Sequence, residues 1–271
     1  MLEEAGCLVE HETLQKEVLV SCRVKLVSSR IVVLALCLSV SWLWHGAYAQ
    51  TGKDGQAVAS EAARWGEEIS TEELKEILAA GSTPVLDVRS EKEYSIAHIP
   101  GSVNIYEKEI DDIMRRFPDK SARMVMYCNG PYCHKVKRVG EQLIAKGYTA
   151  LLRYQLGMPV WRAFGNAVQT DMLGFKYIFS GDRTAVFVDA RSPERFKAGT
   201  VPGAVNVRFG ETEKANTDGR LPYTDKGTRI VVFADTPQEA REVAEEIAHA
   251  AFWNSGYFGG TYDQLKQAGL W

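Results

Sequence analysis

Cysteine is scarce in this chain, five among 271 residues, and neither sign of charge prevails. Lys and Arg number 32 against 35 Asp and Glu, a formal net charge of −3. So even a balance lacks the basic footprint that nucleic-acid binding leaves in a sequence. Five cysteines in this length do not frame a disulfide-built fold. The 14-residue apolar run Ile31–Trp44, broken only by Ser39 and Ser41, falls short of the roughly 20 residues that cross a bilayer comfortably. No methionine lies between Met1 and Met114. What is present is ordinary: 45% hydrophobic and 25% charged residues, a globular composition rather than a disordered or fibrous one.

The apolar run has the flanks of an export signal. Arg23, Lys25 and Arg30 precede it, and Ala47-Tyr48-Ala49 follows as a small-x-small cleavage pattern, so a mature chain is expected from Gln50. The expected destination is the bacterial periplasm, with an uncleaved membrane anchor as the alternative. Glu3, Glu4, Glu10, Glu12 and Glu17 are unusual in such a signal and suggest a start assigned too far upstream. Residues 1–49 hold four basic and five acidic residues, which leaves 28 against 30 in the remainder. They also hold Cys7, Cys22 and Cys37, so only Cys128 and Cys133 need explaining.

The remainder is one unit written twice. Asp87–Ile105 aligns with Asp189–Val207 at an offset of 102, and seven of 19 positions are identical: Asp, Arg, Ser, Pro, Gly, Val and Asn. Duplication is the natural reading. Ser70 and Glu73 form a capping box that opens a helix through about Ala80. Pro84–Val88 and Ala185–Asp189 read as matching short strands. Arg123–Tyr127 and Arg229–Phe233 are continuous apolar runs, as in strands buried on both faces. Helical patterns follow over about His134–Lys146 and Pro237–Ala251. Strands alternating with helices predict an α/β fold: two tandem domains, each a mostly parallel sheet flanked by helices. The expected segments are a signal at 1–49, a linker at 50–66, a first copy at 67–165 and a second at 170–271.

Ligands of such sheets bind beyond the carboxyl ends of the strands. There the first copy reads Cys128-Asn129-Gly130-Pro131-Tyr132-Cys133-His134-Lys135. A cysteine leaving a buried strand for a tight loop, at the start of a helix, lies in a field that favours anions and thiolate. Gly130 and Pro131 shape the loop. Lys135, Lys137 and Arg138 add positive charge. The second copy has Ala234 in place of Cys128, followed by Asp235.

These residues resemble the rhodanese family of sulfurtransferases over roughly Ile69 to Trp271. The resemblance rests on Asp87-Val88-Arg89-Ser90, on His98-Ile99-Pro100-Gly101-Ser102-Val103-Asn104 and on the apolar strand ending at Cys128. It extends to Gly157-x-x-x-Trp161 and to Gly259-Gly260. It implies that Cys128 accepts a sulfane sulfur from a small anionic donor such as thiosulfate, becomes a persulfide, and passes the sulfur to a thiol or cyanide-like acceptor. It further implies that the loop Asn129, Gly130, Pro131, Tyr132, Cys133, His134 and Lys135 cradles the substrate. The second copy resembles inactive modules of the family. The loop itself departs from the family pattern at Asn129 and Cys133, where an arginine and a basic or hydroxyl residue are common. Tyrosine phosphatases are excluded, because His134 stands where their C-x5-R motif needs arginine.

Cys133 has three readings: a resolving thiol, a disulfide partner, or a small loop residue. No cofactor is expected, and no metal, since Cys128, Cys133 and His134 lack a fourth ligand at a suitable spacing. Asp87 and Arg89 read as architectural, because Asp189 and Arg191 repeat them in a copy without a nucleophile. Two other functions remain open: a thiol redox protein cycling a Cys128–Cys133 disulfide, and a non-catalytic sulfur-carrying or binding module.

Overall fold

The computed structural model describes residues 64–270; the export signal expected at 1–49, and most of the expected linker, lie outside them. The first half runs β1 (Glu67–Glu68), α1 (Thr71–Ala80), β2 (Val85–Asp87), α2 (Glu91–Ile96), β3 (Val103–Asn104), α3 (Ile110–Arg116), β4 (Met124–Tyr127), α4 (Lys135–Ala145), β5 (Leu151–Tyr154) and α5 (Gly157–Ala163). The second repeats it with β6 (Val168–Thr170), α6 (Met172–Gly181), β7 (Val186–Asp189), α7 (Pro193–Ala198), β8 (Val205–Asn206), α8 (Thr212–Thr217), β9 (Ile230–Phe233), α9 (Pro237–His249), β10 (Ser255–Phe258) and α10 (Tyr262–Gln267). The sheets have strand orders β1-β5-β4-β2-β3 and β6-β10-β9-β7-β8, and all their pairings are parallel. The topology is therefore the same in both halves, as the duplicated sequence implies.

Burial explains the central strands. All four residues of β4 and all four of β9 are inaccessible, because helices cover both faces of each sheet. Leu86, Met126, Val139 and Leu143 fill one side of the first sheet, and Val125, Tyr127, Leu152 and Trp161 the other. The expected capping box is present at α1: Ser70 Oγ accepts from Glu73 N, and Glu73 Oε2 accepts from Ser70 N at 2.7 Å. Gly81 ends that helix in the left-handed region. Trp65, placed in the linker by sequence, is instead buried in the first core, with the Arg153 guanidinium stacked 3.7 Å from its ring centre. The second sheet begins at Val168, two residues ahead of the sequence-based start of the second copy.

The halves meet along α2 and α6. His98 and Gln169 exchange both backbone hydrogen bonds at 2.9 Å, Asp171 N donates to Ser95 O, and Thr170 Oγ1 donates to Ile96 O. Gly174 lies so close that a Cβ there would overlap the Ser95 carbonyl oxygen, which only glycine avoids. Among the described residues no helix is long and apolar enough to cross a membrane.

Candidate active site

Cys128 follows the last residue of β4, 2% exposed and packed among Leu86, Met126, Val136 and Val139. Its chain then turns sharply, with Gly130 at φ +123° and Cys133 N donating to Gly130 O at 2.9 Å. The segment after β5 supports this loop from below. Gln155 Nε2 donates to Pro131 O at 2.8 Å, and Met158 N donates to Cys128 O at 3.2 Å. Gly157, at φ +60°, lies flat against it: a Cβ would overlap Cys128 O and come within 2.5 Å of Gly130 N. Tyr132 stands at the tip, 94% exposed.

Cys133 is paired with Cys128, an arrangement compatible with both a disulfide partner and a resolving thiol. The two sulfurs are bonded across a Cα separation of 6.3 Å that lies within the ordinary range for a disulfide. Among the described residues no group of three or more potential metal-ligating side chains is assembled.

The two strand-end loops differ in their helix starts. His134 precedes α4 without a side-chain cap, and no acidic residue occupies the first turn, so the positive end of that helix is left open toward the loop. In the second copy Thr236 and Glu239 close a full capping box on α9, and these bonds occupy N–H groups that an anion would need. Ala234 stands in the cysteine position, and Asp235 next to it is paired with Arg195 at 2.5 Å. In that copy the cysteine is absent and the helix start is closed by side chains.

Asp87 and Arg89 form a buried clamp behind the loop. Arg89 Nε donates to Asp87 Oδ1 at 2.9 Å, and its terminal nitrogen reaches both Asp87 Oδ2 and Ala97 O. Asn104 Nδ2 ties together the carbonyls of Asp87 and Arg89. Arg191, Asp189, Gly199 and Asn206 repeat each of these bonds in the second copy. The clamp is thus kept in the copy that carries Ala234 in place of the cysteine, as an architectural pair would be. Burial works to lower the Arg89 pKa, but the Asp87 bonds and charge outweigh it and raise it. His98 serves the seam between the halves: it is buried, stacked on Tyr94 and bonded through Nδ1 to Tyr94 O, and burial pushes its pKa down.

One active-site neighbour escaped the sequence reading. Glu93 reaches from α2 to the residue after the cysteine, its Oε1 accepting from Asn129 Nδ2 at 2.7 Å. Its Oε2 accepts from Ser90 and lies 3.5 Å from Lys135 Nζ. Asn129 Oδ1 in turn accepts from Arg89 at 3.2 Å, which joins the clamp to the loop. Partial burial works to raise the Glu93 pKa, but the Asn129 and Ser90 bonds and the Lys135 charge hold it at about 2. The signal was available, since Ser90 and Glu93 carry the same capping-box spacing as Ser70 and Glu73. Of the three cations expected to hold an anion, Lys135 is thus paired with Glu93 and Arg138 with Glu107, while Lys137 is exposed.

The rhodanese-like domain pattern matches the chain twice, over residues 70–164 and 178–268. A thiosulfate sulfurtransferase structure from Pseudomonas aeruginosa is similar at 17% identity and a TM-score of 0.35, covering 75% of this chain and 43% of that one. A structure described as rhodanese with anions, from E. coli, is 30% identical with a TM-score of 0.25, covering 26% of this chain and 82% of that one. An HTH-type transcriptional regulator from Mycobacterium tuberculosis is 37% identical over 65 residues, 24% of this chain and 28% of the regulator. The chain therefore spans about a quarter of the length of that curated relative and under half of the Pseudomonas protein.

Proposed function

The chain belongs to the rhodanese-like family, and we propose that its first copy is a sulfurtransferase working through a persulfide on Cys128, while the second copy is a non-catalytic partner. The observation that carries this reading is the contrast between the loops. Cys128 faces the uncapped start of α4, whereas Ala234 precedes a helix start already closed by Thr236 and Glu239.

The disulfide sets the order of events. A dithiol reductant exchanges with the Cys128–Cys133 bond, leaving two protein thiols and its own disulfide. The open end of α4 stabilises Cys128 as thiolate. That thiolate attacks the outer sulfur of a sulfane donor; the bond between this sulfur and the rest of the donor breaks, and Cys128 carries the sulfur as a persulfide. A thiolate or cyanide-like acceptor then takes the outer sulfur, and Cys128 leaves as thiolate. No net oxidation occurs in the transfer.

A second reading draws on the same bond: the Cys128–Cys133 disulfide supports a thiol redox protein that cycles between dithiol and disulfide. Mass spectrometry of the reduced protein separates the two. A gain of about 32 Da on Cys128 with donor, absent in Cys128→Ser, supports transfer; a loss of about 2 Da when a small disulfide is supplied as oxidant, and no gain with a sulfane donor, supports redox cycling. Residues 1–49 fit an export signal that would carry this pair into oxidising surroundings. A mature N-terminus at Gln50 is the expected result, and an exported chain retaining those residues would refute it.

A further inference from the structure

We propose that Glu93 is the donor-specificity residue of the Cys128 site, selecting singly charged sulfane-sulfur donors over dianions such as thiosulfate; this rests on the sulfurtransferase reading above. The geometry is direct. The Glu93 carboxylate is bonded to the side chain of Asn129, the residue next to the nucleophile. It also takes up Lys135, the first residue of the helix whose open end faces the loop. Arg138 is engaged by Glu107, and Arg89 by Asp87. Lys137 alone of the three loop-side cations lacks a carboxylate partner among the described residues. A fixed negative charge is thus set next to the loop and cancels Lys135, while Arg138 and Arg89 are committed to Glu107 and Asp87. Its low pKa keeps Glu93 ionised across the working pH range.

The second copy places an ion pair at the same two positions. Arg195 occupies the position of Glu93 and Asp235 that of Asn129, and the two again touch, with the charge now of the opposite sign on the helix. Side chains at these two positions meet across the loop in both copies, and the first copy places its anion there. With Lys135 cancelled by Glu93, a dianion approaching Cys128 loses the extra attraction over a monoanion that a free cation at the helix start would give. For unit charges several ångströms apart at a partly exposed site this amounts to about three- to tenfold in rate.

Thiosulfate and the methanethiosulfonate anion are the probes, since each presents a terminal sulfur on a sulfonyl centre and they differ by one charge. Cys128 thiolate takes that sulfur from either; sulfite leaves from the first and methanesulfinate from the second, so charge and atoms balance. The readout is the ratio of their kcat/KM values on the reduced protein, at low and high salt. Wild type is expected to favour methanethiosulfonate, and the effect of Glu93→Gln to shrink at high salt as screening shortens the reach of the Lys135 charge it frees. Glu93→Gln, which keeps a capping side chain of the kind Gln264 supplies to α10, is expected to narrow the ratio about three- to tenfold. Lys135→Gln is expected to widen it. A ratio unchanged in Glu93→Gln, or two donors accelerated equally, overturns the proposal. If neither probe adds sulfur to reduced wild-type Cys128, the sulfurtransferase reading itself fails and the proposal falls with it.

Discussion

Gly157→Ala places a single methyl group under the active-site loop. At φ +60° an L-residue is disfavoured, at a cost of roughly 1–2 kcal/mol. The added Cβ would also overlap Cys128 O and lie 2.5 Å from Gly130 N and 2.8 Å from Gly130 Cα, all backbone atoms. Overpacking against atoms that cannot rotate away costs a further 1–3 kcal/mol or so. Gly81→Ala isolates the first effect, because Gly81 has φ +66° and an added Cβ there would meet nothing within 4 Å. Urea denaturation is therefore expected to show a loss of about 1–2 kcal/mol for Gly81→Ala and about 2–5 kcal/mol for Gly157→Ala. For a chain of this size the latter lowers Tm by roughly 5–15 °C. The loop must shift to admit the methyl, so persulfide formation on reduced Cys128 falls in Gly157→Ala and not in Gly81→Ala. Equal stability losses in the two variants, with wild-type sulfur loading in Gly157→Ala, would refute the view that Gly157 fixes the loop.

Cys133→Ala is expected to lengthen the life of the Cys128 persulfide and to remove the need for a dithiol reductant, because no resolving thiol remains to expel the sulfur and close the disulfide. Identical persulfide decay in both proteins, followed by mass spectrometry with and without reductant, would discard that role. Ala234→Cys is expected to create no second reactive site: Asp235 raises the pKa of a thiol beside it, and the Thr236–Glu239 box occupies the helix start. Stoichiometric transfer of sulfur from thiosulfate to that cysteine would contradict this. Glu93 titrates near 2 in the folded chain against an ordinary 4.5, so its contribution to stability is complete above about pH 4.5 and is lost as pH falls toward 2. Denaturation of wild type and Glu93→Gln should accordingly converge over that window, from a difference of no more than about 1 kcal/mol given the solvent exposure; a gap that stays constant would show the carboxylate to be unperturbed.

The sequence made the repeated frame legible because burial leaves strong marks. Met124–Tyr127 and Ile230–Phe233 lie inside the apolar runs seen in the sequence, and the Asp87/Arg89 clamp was traceable through its twin at Asp189/Arg191. β1 was not legible: Glu67 and Glu68 are exposed, and only pairing with β5 makes them a strand. The cysteine loop was visible as composition, but its electrical setting was not. Lys135 and Arg138 read as free cations until the fold brings Glu93 from 42 residues away and Glu107 from 31. Such pairings depend on which helices become neighbours, and no local pattern encodes that.

The helix α2 bears on modularity. Near its N-terminal end Glu93 holds Asn129 of the cysteine loop, and near its C-terminal end Ser95 and Ile96 give their carbonyls to the second half. Cutting the chain after Gly165 would strip four hydrogen bonds from this edge, those between His98 and Gln169 in both directions, Asp171 to Ser95, and Thr170 to Ile96. It would also uncover the backbone on which Gly174 rests. The excised first half would keep Cys128, its loop and Glu93, and lose the splint along the helix that aligns them. The second copy is thus repetition in sequence only; in space it braces the helix that holds the cysteine loop.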